Sequence, residues 1–185
     1  MTTARVVLIG GGVRCGKSAF ALAYAQKLGE RRTFIATAQA FDDEMRARIH
    51  AHIQERGSAF ATVEAPLLLT ECLRALPPVD VVVIDCLTLW LSNLLLSGLD
   101  GAAIEAKVTE LAEFLRNPPC HVLMVTNEVG MGVVPESALG RVFRDVCGRA
   151  HQELGRTAHE LYFAVLGQLL RIKPEPIGLA FGPLS

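Results

Sequence analysis

The chain has 185 residues, a formal net charge of -1 at pH 7, and 51% hydrophobic against 20% charged residues. That length fits one unit over residues 1–185 with a sizeable buried core, and the apolar fraction excludes a disordered chain. A balance so close to neutral argues against nucleic acid or an anionic membrane surface as the main partner.

The first apolar run, "ARVVLIG", predicts a buried strand; it breaks into glycine after five residues, too early for a secretory leader. "SAFALAYAQKLG" predicts the helix that follows, closing on Gly29, and "TFIATA" (33–38) a second strand. "DDEMRARIHAHIQERG" reads as a helix with acidic residues in its first turn and Gly57 after its end. "PLLLTECLRAL" predicts a short helix ahead of Pro77 and Pro78, and "DVVVIDC" another buried strand. "CLTLWLSNLLLSGL" is the most apolar segment, too short to span a bilayer, and reads as a buried or subunit-facing helix. Helical periodicity covers 87–96 and 102–115, and "CHVLMVTNE" is a further strand. In "PESALGRVFRDVCGRAHQELGRTA" Pro135 opens a helix whose positions Leu139, Val142, Phe143, Val146, Ala150 and Leu154 form one apolar stripe. "ELYFAVLGQLLRIK" predicts two short strands paired around Gly167 and Gln168, and 174–185 an irregular Pro/Gly-rich tail.

Strands alternating with helices predict an α/β fold: a mostly parallel sheet with helices on both faces and a C-terminal antiparallel hairpin. Ligands gather at the carboxyl ends of such strands, where Lys17, Ser18, Thr37, Asp85 and Glu128 fall. The spacing Gly11-x-x-x-x-Gly16-Lys17-Ser18 between strand and helix is that of a phosphate-binding loop. Its backbone amides, through Gly11, Gly12, Val13, Arg14, Cys15 and Gly16, cradle an anion. Lys17 adds a full positive charge at the β/γ-phosphates, and the Ser18 hydroxyl ligates Mg²⁺. Asp85, ending an apolar strand, is placed to hold the same Mg²⁺ directly or through water. The five cysteines, Cys15, Cys72, Cys86, Cys120 and Cys147, form no metal-ligand spacing and read as free buried thiols of a reducing cytosol.

His50 and His52 stand two apart, so one helix cannot turn both to the same ligand. At about 100° per residue His52 shares a face with Met45, Ile49 and Arg56 and points at the body of the protein, while His50 points away. Two readings of His52 stay open on periodicity: a satisfied core histidine, or a neutral imidazole that attacks phosphorus and forms a phosphoramidate.

The stretches "GGVRCGKS", "FIATAQAFDDEMRARIHAHIQERG", "TVEAP", "IDCLTLWLSNLL" and "TNEVGMGVVPESALGRVFRD" carry a resemblance over nearly the whole chain. In them the sequence resembles the bifunctional adenosylcobinamide kinase / adenosylcobinamide-phosphate guanylyltransferase family of bacterial cobalamin assembly. The resemblance implies a RecA-like fold, a homo-oligomer in the cytoplasm, and a corrinoid substrate. It implies phosphorylation of adenosylcobinamide by a nucleoside triphosphate, GTP or ATP, and then GMP transfer from GTP through a guanylylated histidine, which is His52 here. It carries nucleotide contacts to Ala36, Thr37 and Ala38, to Ile53, Gln54, Glu55 and Arg56, and to Glu64. Two carboxylate oxygens on Glu64 suit the N1–H and N2–H₂ donors of guanine. Glu128, beside "VGMG", is the polar group expected on the acceptor side. Val13, Cys15, Phe60 and His151 depart from the family's usual residues. A chain that retains guanylyl transfer alone, and a RecA-like regulatory NTPase, are the rival readings.

Overall fold

The computed structural model describes residues 4–39 and 59–175. The helix expected over 42–57 and the tail beyond residue 175 lie outside the described residues.

Seven strands form one sheet in the order β3-β2-β4-β5-β1-β6-β7. They are β1 (Val6–Gly11), β2 (Arg32–Ala36), β3 (Ala61–Glu64), β4 (Val81–Asp85), β5 (His121–Val125), β6 (Glu160–Val165) and β7 (Gln168–Lys173). Every pairing is parallel except β6 with β7, the antiparallel hairpin. Its turn is Leu166 and Gly167, both at positive φ (51° and 73°), the conformation a two-residue hairpin loop requires. Gln168 therefore pairs with Val165 rather than turning.

The parallel strands are apolar on both sides because helices cover both faces. On one face Val6, Leu8, Ile35, Val82, Ile84, Val122 and Met124 meet the helices α2 (Leu69–Ala75), α3 (Leu87–Leu96), α4 (Gly101–Leu115) and α5 (Ala138–Thr157). On the other, Val7, Ile9, Phe34, Val81, Val83, Leu123 and Val125 pack on Ala21 and Ala25 of α1 (Lys17–Leu28). Alternate residues of each strand thus enter opposite cores, as the period of two demands. The apolar segment around Trp90 is α3, buried as expected, with the indole N–H donating to Leu67 O at 2.9 Å. Among the described residues no helix is long and apolar enough to cross a membrane.

Four further local expectations change. β3 has no counterpart in the sequence reading: it is four residues long, and Val63 is its one half-buried position. α5 starts at Ala138, not at Pro135, because Ser137 caps it, its hydroxyl accepting from Gly140 N at 3.1 Å. The stripe on α5 is buried at Val146, Ala150 and Leu154, while Leu139 and Val142 at its start lie open to solvent. The cysteines are free, and only Cys86 and Cys147 are buried; Cys15, Cys72 and Cys120 are half-buried.

Candidate functional site

Strand register gathers the candidate residues into a row. Ala36 lies opposite both Glu64 and Asp85, Asp85 opposite Val125, and Val125 opposite Ile9. Registered residues of parallel strands share a face, and this one is the face of α1. Four strand steps of about 4.8 Å put Glu64 about 19 Å from the end of β1, a span suited to an extended nucleoside triphosphate.

The loop opens where β1 ends. Gly11 has φ +153°, and a Cβ there would stand 2.5 Å from Ala164 O, so the close approach of β6 admits no side chain. Gly16 turns the chain into α1 at φ +94° with no side-chain cap, which leaves the first amides of the helix directed at the loop. Gly12, Val13, Arg14 and Gly16 are exposed, while Cys15 and Ser18 are half-buried.

Lys17 is the one charged side chain among the buried described residues, only 7% exposed. Its Nζ donates to Gly12 O at 2.9 Å, and it has no carboxylate partner among the described residues. An ammonium has three donors, and burying one without a counter-ion costs several kcal/mol on the order-of-magnitude scale.

Asp85 sits half-buried at the end of β4. The neighbouring Cys86 thiol is pushed up to about 11, chiefly by burial and then by Asp85, with Lys17 acting in the opposite sense. Both charges thus act on one buried group. Ser18 and Asp85 offer a hydroxyl and a carboxylate, hard oxygen donors that suit Mg²⁺ when phosphate oxygens and water complete its shell.

Thr37 is fully buried, and its hydroxyl accepts from Cys86 N at 2.8 Å and donates to Cys86 O at 2.7 Å. Its own carbonyl takes a bond from Asn93 Nδ2 at 2.8 Å. The side chain is a clamp between the ends of β2 and β4, with its proton committed to that clamp. Ala36 and Ala38, half-buried with methyl side chains, offer a ligand mainly backbone and contact surface. Glu64 ends β3 exposed at the margin of the sheet. His50, His52, Ile53, Gln54, Glu55 and Arg56 lie outside the described residues.

The segment after β5 borders the loop: Glu128 N donates to Gly11 O at 3.0 Å. Glu128 Oε1 accepts from Gly130 N at 2.6 Å, and Oε2 faces His151 Nδ1 at 3.7 Å. From α5, Arg144 Nη2 donates to Gly130 O at 2.8 Å, and its buried Nη1 has no partner among the described residues. Arg144 and His151 went unused in the sequence reading as site residues. Their i, i+7 spacing, which puts them on one face of a helix, was the available signal.

The model of the family described as cobinamide kinase / cobinamide phosphate guanyltransferase matches residues 7–172. The chain is 40% identical to the bifunctional adenosylcobalamin biosynthesis protein CobU of Escherichia coli K12, over 91% of this chain and 99% of that one. It is 39% identical to the bifunctional adenosylcobalamin biosynthesis protein CobP of Pseudomonas aeruginosa PAO1, over 92% and 98%. Among solved structures, the RadB recombinase aligns with a TM-score of 0.56 at 14% identity, covering 92% of this chain and 83% of that one. A Pyrococcus horikoshii OT3 protein aligns at 0.59 and 9% identity, covering 100% and 95%. These two likenesses concern the fold, which is RecA-like.

Proposed function

The chain belongs to the cobinamide kinase / cobinamide phosphate guanyltransferase family, and from that premise we propose how its residues divide two phosphorus chemistries. The activity is that of a bifunctional adenosylcobinamide kinase and adenosylcobinamide-phosphate guanylyltransferase of cobalamin biosynthesis, using GTP or ATP with Mg²⁺. In our reading residues 1–185 act as one P-loop transferase unit.

The observation that carries the proposal is Lys17, buried, without a carboxylate partner among the described residues, under an uncapped helix start. In both reactions its ammonium and the amides of Gly11 to Ser18 hold the triphosphate and offset charge that builds up on transfer. Mg²⁺, held by Ser18 and Asp85, supplies Lewis-acid charge neutralisation on the phosphates when bound. Ala36, Thr37, Ala38, Ile53, Gln54, Glu55, Arg56 and Glu64 line the nucleoside side, with Glu64 accepting from guanine.

In the kinase reaction the aminopropanol hydroxyl of adenosylcobinamide attacks the γ-phosphorus and the nucleoside diphosphate leaves. In the second reaction an imidazole nitrogen of His52 attacks the α-phosphorus of GTP; the bond to the β-phosphate oxygen breaks and pyrophosphate departs. A phosphate oxygen of adenosylcobinamide phosphate then attacks the same phosphorus, the P–N bond breaks, and adenosylcobinamide-GDP is released with a free His52. Glu128 serves the acceptor side.

The test is to assay the two reactions separately in His52→Ala. Phosphorylation of adenosylcobinamide is expected to persist while guanylyl transfer is lost; guanylyl transfer at the wild-type rate would overturn the histidine step. Assembly as a homo-oligomer belongs to the same reading, supported by the solvent-exposed Met131, Val133, Val134, Leu139 and Val142. A cytoplasmic location is supported by the free thiols. A monomer by sedimentation would remove the first of these.

A further inference from the structure

Buried polar side chains are few, and two of them, Thr88 at the start of α3 and Thr126 after β5, meet with their hydroxyl oxygens 3.0 Å apart. They belong to a longer chain of contacts. Asn127 N donates to Thr88 Oγ1 at 2.7 Å, and Thr126 Oγ1 lies 2.7 Å from His151 Nε2. On the far side of the ring, His151 Nδ1 faces Glu128 Oε2 at 3.7 Å, beyond hydrogen-bond length.

The direction of this chain follows from which groups donate. An ionised carboxylate only accepts, and a bare ring nitrogen turned toward it would be repelled, so the proton belongs on Nδ1. The imidazole is about 15% exposed, and its burial favours the neutral ring, with Glu128 opposing. A neutral ring protonated on Nδ1 presents a lone pair at Nε2. Thr126 then donates to it, which leaves the 3.0 Å contact to be donated by Thr88, whose hydroxyl also reaches Asn127 O at 3.4 Å.

Glu128 Oε1 is held by the hydrogen bond from Gly130 N, Oε2 lies 3.7 Å from His151 Nδ1 with the N–H dipole turned toward its charge, and Arg144 holds Gly130 O from the same helix. We infer that His151 is a positioning residue: kept by Thr126 as the neutral Nδ1–H tautomer, it aims the Glu128 carboxylate at the corrinoid acceptor. This rests on the acceptor-side reading of Glu128 given above. The segment touches Gly11 O through Glu128 N, so a carboxylate swung away there would spare the nucleotide loop while misplacing the acceptor.

Two conservative variants separate positioning from packing. In His151→Gln the amide reaches where Nε2 was and keeps the Thr126 link, but abandons Glu128. In His151→Asn the amide N–H₂ stands near the place of Nδ1 and keeps Glu128, but abandons Thr126. The full-length protein is assayed for KM and kcat toward adenosylcobinamide and for GTP affinity. ¹⁵N-edited NMR reads the His151 tautomer in the wild type.

The expected result is Nδ1 protonated and Nε2 bare, with the acceptor KM up about tenfold in the Gln variant and near wild type in the Asn variant. GTP affinity is unchanged in both. A ring protonated on Nε2 overturns the inference, and so does a Gln variant with wild-type acceptor KM when Glu128→Gln raises it. If Glu128→Gln also leaves it unchanged, the acceptor-side reading of Glu128 falls, and this use of His151 falls with it.

Discussion

Two segments leave neighbouring strands at their carboxyl ends: 12–18 after β1 and 126–132 after β5. The first is shaped mainly from within. Its sharp turns are made by its own glycines, and its key side-chain bond, Lys17 to Gly12, spans five residues. The second is held from outside, by Arg144 fourteen residues away and His151 twenty-five residues from Thr126. A triphosphate presents the same few charged oxygens in every nucleotide, so backbone amides and one ammonium suffice for it. A particular hydroxyl on a large acceptor needs a carboxylate aimed by tertiary contacts.

The largest expected break in that comparison is Lys17→Ala. Both transfers should fall by about a thousandfold in separate assays, since the proposed reading has one ammonium serve both. Loss of only one reaction would mean that the loop is not shared. Next is Thr37→Val, which leaves the buried Cys86 N without its acceptor and should cost about 2 kcal/mol in urea unfolding. A variant as stable as wild type would show that the clamp between β2 and β4 is not what fixes those strand ends. Glu128→Gln sharpens the contrast: kcat/KM for the corrinoid should drop about tenfold with nucleotide affinity intact. Weakened nucleotide binding there would erase the division between the segments.

The smallest effect lies at the opposite end of the strands. Asp80 precedes β4, and Arg31 beside it lowers its carboxyl from 3.8 to about 2. A depressed folded-state value means that its contribution is present above 3.8 and is lost as pH falls from there toward about 2. Arg31 is exposed and Asp80 half-buried, so the effect is small and salt-sensitive. Asp80→Asn should flatten the acid limb of a pH–stability curve while leaving both transfers untouched.

How much of this was legible follows the same line between local and distant. The loop, Asp85 and the strands of both cores could be read because each depends on a contiguous pattern: glycine spacing or an unbroken apolar run. β3 could not, since an edge strand of four mostly exposed residues carries no run to detect. Its pairing with β2 is what brings Glu64 level with Ala36 and Asp85, and no local pattern encodes register between strands. Thr37 reads as a ligand contact from its place at a strand end, and no local pattern shows that its hydroxyl donates to Cys86 O, 49 residues away in sequence. The apolar stripe of α5 was visible, but the burial of its second half alone depends on tertiary packing in the core it shares with α3 and α4.

The division of labour rests on one covalent step, and intact-mass analysis after exposure to GTP tests it most directly. The account predicts a single GMP adduct that maps to the peptide carrying His52, disappears in His52→Ala and survives in His50→Ala. An adduct that persists in His52→Ala, or that maps to any other residue, would contradict it.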